Sequence, residues 1–167
     1  MEIRGEITNK LFSGADSVAF YRENILLANL KLGSKKCYKL IFTHKKEEGY
    51  PDIVISIKGF LNRRFLIEVE EEKAIWTYKR NKLSDFLYGK MTLTTQDEKF
   101  ETVESDEKIQ IFSSNRKIGT IKKVYGSIFD KGEYSVLFES KDYEKLFLIM
   151  ASILAIKTEV IKVSSLD

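Results

Sequence analysis

The fold is decided by an apolar run near the end of the chain, LFLIMASILAI at residues 146–156. The run contains no glycine, proline or charge, and Ser152 is its only polar member, so a helix over it is apolar around its whole circumference. Such a helix has to be enclosed on every side. At 11 residues, the run is also far shorter than the roughly 20 apolar residues of a bilayer span. Burial inside a protein is therefore favoured over a membrane span.

Polar residues on either side of the run predict where this helix begins and ends. Ser140 suits the N-cap because its hydroxyl can accept a hydrogen bond from a free backbone amide. Asp142 and Glu144 complement the positive end of the helix dipole, and Lys157 lies near the negative end. We therefore expect a helix over about residues 142–158.

Residues 1–140 have the composition of successive β-strands. Short segments rich in Ile, Val, Phe, Tyr and Thr are separated by Gly, Asn, Asp, Ser or charged pairs. A closed sheet around the helix would cover it on every side and leave no exposed strand edge. We therefore predict a mainly β protein, a closed antiparallel β-barrel that encloses a hydrophobic C-terminal α-helix, in a single domain over residues 1–167 with a short tail. The alternative is that the helix packs against a second copy of the chain in a dimer.

Residues 62–80 predict one hairpin in detail. Folding this segment back around residues 70–73 sets Val69 opposite Ala74. Core packing explains the single tryptophan, Trp76, because it falls on the inward face of this hairpin. The same register puts two further apolar pairs on that face: Ile67 with Trp76, and Phe65 with Tyr78.

Composition excludes several classes of function. The chain carries 28 Lys and Arg against 25 Asp and Glu, and the net charge of +3 is too small to indicate a nucleic-acid-binding protein. A single cysteine, Cys37, excludes an internal disulfide and a thiolate zinc cluster, and a single histidine, His44, excludes a multi-histidine metal site. The first residues are charged where a signal peptide needs an apolar run. We expect a cytoplasmic protein without metal or cofactor.

Motifs for catalysis are also missing from the sequence. It has no phosphate-binding loop of the GxxxxGK[ST] or GxGxxG type. A catalytic dyad or triad would have to use His44, which we expect at a solvated strand end beside Lys45 and Lys46. We therefore expect that the protein is not an enzyme.

Five basic residues at the open end of the predicted hairpin are the candidate ligand-binding residues. The register sets Arg64 opposite Lys79 and Arg63 opposite Arg80, with Lys82 just beyond. Like charges that face each other across strands are unfavourable unless an anion or an acidic neighbour offsets them. Arginine offers a planar fork for phosphate and lysine a mobile point charge. The alternative is that these cations point into water or pair with distant carboxylates.

Three consecutive segments at the end of the chain resemble the tubby C-terminal-like superfamily, which includes the LURP-one-related and phospholipid-scramblase-like proteins and small bacterial relatives. They are a basic strand of the form Gly-x-Ile-Lys, a Tyr-x-Val strand after a turn, and an apolar C-terminal helix. In this sequence they are RKIGTIKK at 116–123, GEYSVLF at 132–138 and the helix at 142–156. Upstream of about residue 107 only the rhythm of strands and the approximate length agree.

The resemblance implies a fold and a kind of ligand. The fold is a closed β-barrel threaded by the terminal helix. Tubby proteins are associated with phosphoinositide head groups, but no residue here matches their lipid site individually, so no ligand position is transferred. The sequence also has no Asp-x-Asp-x-Asp-Gly calcium loop. We expect a non-enzymatic domain that binds an anionic lipid or another phosphate-bearing ligand, peripherally at the inner membrane surface. The alternative is a scaffold for a protein partner.

Overall fold

In a computed structural model, the chain forms a closed antiparallel barrel of twelve strands and one C-terminal helix. The structure describes residues 1–10, 14–34, 36–43, 52–59, 64–70, 72–80, 89–105, 108–124 and 133–158. The elements in chain order are β1 (Glu2–Lys10), β2 (Gly14–Arg22), β3 (Ile25–Ser34), β4 (Cys37–Phe42), β5 (Ile53–Lys58), β6 (Arg64–Val69), β7 (Ala74–Arg80), β8 (Lys90–Thr94), β9 (Lys99–Ser105), β10 (Lys108–Ser113), β11 (Arg116–Val124), β12 (Glu133–Phe138), a 3₁₀ turn (Lys141–Tyr143) and α1 (Glu144–Thr158).

Every strand pairs with its neighbours in sequence, and β1 pairs with β12 to close the barrel. In the closing pair, Ile3 lies opposite Val136 and Gly5 opposite Tyr134. Side chains alternate between the core and the outside, as in β12, where Tyr134, Val136 and Phe138 are buried. Closure confirms the predicted mainly β barrel and removes strand edges from the described sheet.

The hairpin predicted over residues 62–80 has the predicted register. Val69 lies opposite Ala74, and the two further predicted pairs, Ile67 with Trp76 and Phe65 with Tyr78, are also observed. The rings of Phe65 and Tyr78 are 6.0 Å apart between centroids, and both residues are buried.

Helix α1 is enclosed by the barrel. Every residue from 146 to 156 is at most 5% exposed, and the inward-facing residues of the strands belong to the same core cluster. Ser152, the one polar residue of the run, donates its hydroxyl to the carbonyl of Leu148 at 2.7 Å. Since one chain covers the whole helix, the alternative that a second copy covers it is wrong. None of the helices within the described residues is long and apolar enough to cross a membrane.

The start of the helix differs slightly from the prediction. Ser140 caps it as expected, because its side chain accepts a hydrogen bond from the amide of Asp142 at 3.3 Å. The first turn, Lys141–Tyr143, is 3₁₀, and α1 itself runs over Glu144–Thr158 rather than from residue 142. The tighter 3₁₀ geometry is common at helix ends.

A glycine allows the helix to lie close to β11. A Cβ atom at Gly119 would lie 2.3 Å from Cζ of Phe147 and 2.4 Å from the carbonyl oxygen of Leu137. Phe147 instead stacks on Phe138, with ring centroids 5.1 Å apart. The glycine of the Gly-x-Ile-Lys segment is thus required by close packing against the helix.

The helix defines two ends of the barrel, which we call the top and the bottom. At the top, where the helix begins, Glu144 pairs with Arg22 at the end of β2. At the bottom, where it ends, Lys157 pairs with Glu104 near the end of β9. Because the strands alternate in direction, β6, β8 and β10 start at the bottom, and β5, β7, β9 and β11 end there.

Candidate anion-binding surface

The structure brings two of the five predicted ligand-binding residues together on the outside of the barrel. Arg64 and Lys79 are exposed. They lie one residue closer to the bottom than the paired residues Phe65 and Tyr78, in β6 and β7. The predicted cross-strand proximity of these two cations therefore follows from the observed register.

The other three predicted residues are not added to that face. Arg80 follows Lys79 in β7, so its side chain alternates to the opposite side of the sheet. It lies opposite the buried Met91 and is half-buried itself. Arg63 and Lys82 lie outside the described residues.

A cation that the sequence analysis missed extends this pair to a third strand. Lys58, the last residue of β5, is exposed and lies directly opposite Arg64. Lys58, Arg64 and Lys79 therefore form a row across β5, β6 and β7, with neighbouring strands about 4.8 Å apart. Within the part of the chain that the structure describes, none of the three forms an ion pair with a carboxylate.

A second pair of facing cations lies at the same end of the barrel. Lys108, at the start of β10, lies directly opposite Lys122 of β11, and both are exposed. Ser105 and Ser135 flank this pair on the neighbouring strands. We call the five residues Lys58, Arg64, Lys79, Lys108 and Lys122 the bottom basic surface.

Within the described part of β5 to β11, carboxylates are missing from the outer face around these cations, and the nearest one on the adjacent strand is the exposed Glu133 at the start of β12. In β5 to β11, the two outward-facing described positions of each strand nearest the bottom carry no Asp or Glu. Like charges that face each other without a counter-charge are unfavourable, by about 0.2–1 kcal/mol per pair. An anion bound to this surface would offset that repulsion.

The one carboxylate at the bottom of β9 points inward instead. Glu104 has a side chain that is 6% exposed and pairs through Oε2 with Lys157 of the helix. Its other oxygen, Oε1, has no hydrogen-bond partner among the described residues. Burial raises the pKa of the Glu104 carboxyl, and the charge and hydrogen bond of Lys157 partly oppose that rise. Glu104 therefore forms its ion pair with Lys157 of the helix and does not neutralise the outer cations.

The reactive residue types of the sequence form no site in the described structure. Cys37 is half-buried, and its sulfur lies 3.9 Å from the hydroxyl of Ser56. His44 lies outside the described residues. Among the residues that are described, no three His, Cys, Asp or Glu side chains are grouped so that they could hold a metal ion.

Comparison with known proteins does not identify a family or a function for this chain. No protein-family model, no curated protein and no solved structure matches the chain. The geometry and charge of the molecule itself are therefore what indicate a binding surface.

Proposed function

We propose that this protein is a non-enzymatic binding domain whose bottom basic surface binds an anionic ligand, such as a phospholipid head group at the inner surface of the membrane. The observation that carries the proposal is the row of Lys58, Arg64 and Lys79 across three strands without a partner carboxylate in the described structure. A phosphate group would form charge-assisted hydrogen bonds with arginine and lysine.

The fold supports the same proposal indirectly. The structure is a closed barrel threaded by an apolar C-terminal helix, and this is the architecture that the resemblance to the tubby C-terminal-like superfamily implies. We include membership of this superfamily in the proposal. Because tubby proteins are associated with phosphoinositide head groups, membership would favour a lipid over other anions.

Binding of this kind is expected to depend strongly on salt. Each basic residue near an anionic membrane surface contributes about 1 kcal/mol, and salt screens exposed charges. Binding should therefore be reversible and weaken as ionic strength rises.

The alternative function, a scaffold for a protein partner, lacks one common means of recognition. Added strands need an exposed sheet edge, and the described strands close on themselves. A protein partner would have to use side chains of the outer face, which makes it an outcome of the test below.

Co-sedimentation with vesicles tests the proposal. We expect binding to phosphatidylcholine vesicles that contain phosphatidylserine or a phosphoinositide, and much weaker binding to pure phosphatidylcholine vesicles. Replacing two cations of the row, Arg64→Glu with Lys79→Glu, should weaken binding by about thirtyfold or more.

The matched control carries the same change in net charge at the other end of the barrel. It combines Lys99→Glu with Lys117→Glu, two exposed residues near the top of β9 and β11. This control should bind almost as the wild type does. Equal binding to neutral and anionic vesicles, or equal losses in the two variants, would overturn the proposal. Capture of a protein that survives both variants would favour the scaffold instead.

A further inference from the structure

A pocket of about 420 Å³ opens at the top of the barrel, between β7, the β8–β9 turn and the start of the helix. Aromatic rings form its inner wall. Trp76 and Phe100 are 7% and 4% exposed, and Tyr143 is half-buried. The rings of Phe100 and Tyr143 meet edge to face, with centroids 6.4 Å apart. We call this cavity the top pocket. Its size and lining are those of a site for a small molecule.

Three carboxylates from two separate turns also line the top pocket. Asp97 and Glu98 belong to the β8–β9 turn, and Asp142 belongs to the 3₁₀ turn before the helix. Hydrogen bonds hold both turns in place. The hydroxyl of Thr95 donates to the carbonyl of Glu98 at 3.1 Å and accepts from its amide at 3.0 Å, and Ser140 donates to the carboxylate of Asp142 at 3.0 Å. The two turns that carry the carboxylates are therefore ordered before any ligand arrives, and the carboxylate of Asp142 is itself held by Ser140.

A cation of the protein itself already lies against the aromatic wall. The ammonium of Lys145 is 5.3 Å from the centroid of the Trp76 ring and pairs with Glu72. Lys145 is the one cation among the described residues that line the pocket. Since Glu72 balances its charge, the three carboxylates leave the pocket with an excess of negative charge. Lys145 thus occupies the face of Trp76 in the way that aromatic faces accept an ammonium group.

We infer that the top pocket binds a small organic ammonium ion. The carboxylates attract the positive group, and the rings of Phe100 and Tyr143 pack against the apolar part of the ligand. This site lies at the opposite end of the barrel from the bottom basic surface, and it takes a ligand of the opposite charge. The inference is therefore independent of the proposed function.

The single tryptophan of the chain makes the inference easy to test. Trp76 lines the pocket, so its fluorescence reports on this site alone. Three probes share one apolar body and differ in charge: phenethylammonium, 2-phenylethanol and phenylacetate. We expect a saturable change in emission with phenethylammonium at millimolar concentration, and a response at least about tenfold weaker with the alcohol and the anion. Isothermal titration calorimetry provides a second measurement that does not depend on the ring.

Two double variants distinguish binding in the top pocket from attraction by other carboxylates at the same end of the barrel. Asp97→Asn with Glu98→Gln removes two carboxylates from the pocket and should weaken phenethylammonium binding by about tenfold. Glu2→Gln with Glu23→Gln removes two carboxylates at the same end of the barrel but outside the pocket, and should leave binding unchanged. The inference is overturned if the alcohol binds as well as the ammonium, if both variants behave alike, or if neither fluorescence nor calorimetry detects binding.

Discussion

The top and the bottom of the barrel use charged residues in different ways. At the top, several exposed cations have carboxylate partners, such as Arg116 with Glu139 at 2.7 Å and Lys99 with Glu101 at 3.7 Å. At the bottom, cations face cations on the outside, and the inward carboxylate of Glu104 in β9 pairs with Lys157 of the helix. Paired surface charges contribute little to stability, whereas facing cations reduce it. The bottom therefore carries a cost in stability that folding alone does not explain, and this difference is what points to a ligand.

The two ends share the buried helix, and a change in its middle should have the largest effect of all. Leu148→Asp places a carboxylate where the side chain is fully buried among apolar neighbours. We expect the loss of apolar burial and the desolvation of a charge to exceed about 5 kcal/mol and to abolish folding. Circular dichroism and thermal unfolding measure this.

A matched control places the same residue on the outer face. Leu137 of β12 is 50% exposed, so Leu137→Asp should cost only about 1 kcal/mol and leave a cooperative transition. A soluble, cooperatively folding Leu148→Asp variant would mean that the barrel does not enclose the helix.

The ion pairs that tie the helix to the two ends should differ in strength. At the bottom, Lys157→Met leaves Glu104, which is 6% exposed, without its counter-charge and should cost about 3 kcal/mol at neutral pH. At the top, Lys145→Met removes a cation whose partner, Glu72, is 37% exposed, and should cost less than about 1 kcal/mol. Urea unfolding of both variants measures the difference. Equal losses would contradict it.

The pH dependence of the Lys157→Met effect gives a second measurement. Burial raises the pKa of Glu104 above the ordinary carboxyl value of 4.5. At pH values between the pKa of Glu104 in the unfolded chain and its raised pKa in the folded protein, the folded protein holds a proton that the unfolded chain has released. The contribution of Glu104 to the free energy of unfolding therefore falls as the pH rises through this range. Once Glu104 is protonated it needs no counter-charge. The cost of Lys157→Met should thus shrink as the pH is lowered from neutral towards 4.5. A cost that does not change with pH would contradict the account.

Local patterns were sufficient to predict the helix and one hairpin, because the residues concerned are close in sequence. The apolar run at 146–156 has to be enclosed wherever the rest of the chain lies, and alternation in residues 62–80 allows a single register. The barrel itself followed from the need to cover the helix. The pairing that closes it, Gly5 with Tyr134, joins the two ends of the sheet and could not be read from a local pattern.

The candidate sites were harder to predict because they combine distant segments. Lys58 is opposite Arg64 only through the register of β5 and β6, a pairing that the predicted hairpin over residues 62–80 does not include. Trp76 was interpreted as a core residue, and it is one, but it also forms a wall of the top pocket. Its neighbours there, Phe100 and Tyr143, lie on β9 and before the helix, and only the folded barrel brings them together.

The smallest expected effect addresses the difference between the two ends most directly. Lys58→Thr relieves repulsion with Arg64, so it should raise the free energy of unfolding by about 0.3 kcal/mol at low salt, and high salt should remove the gain. Lys99→Thr, at the top, loses its contact with Glu101 and should lower the same quantity slightly. Inorganic phosphate should then stabilise the wild type more than Lys58→Thr, because the anion relieves a repulsion that the variant no longer has. If both substitutions change stability in the same direction, the cations at the bottom are no less balanced than those at the top, and the charge argument for a ligand fails.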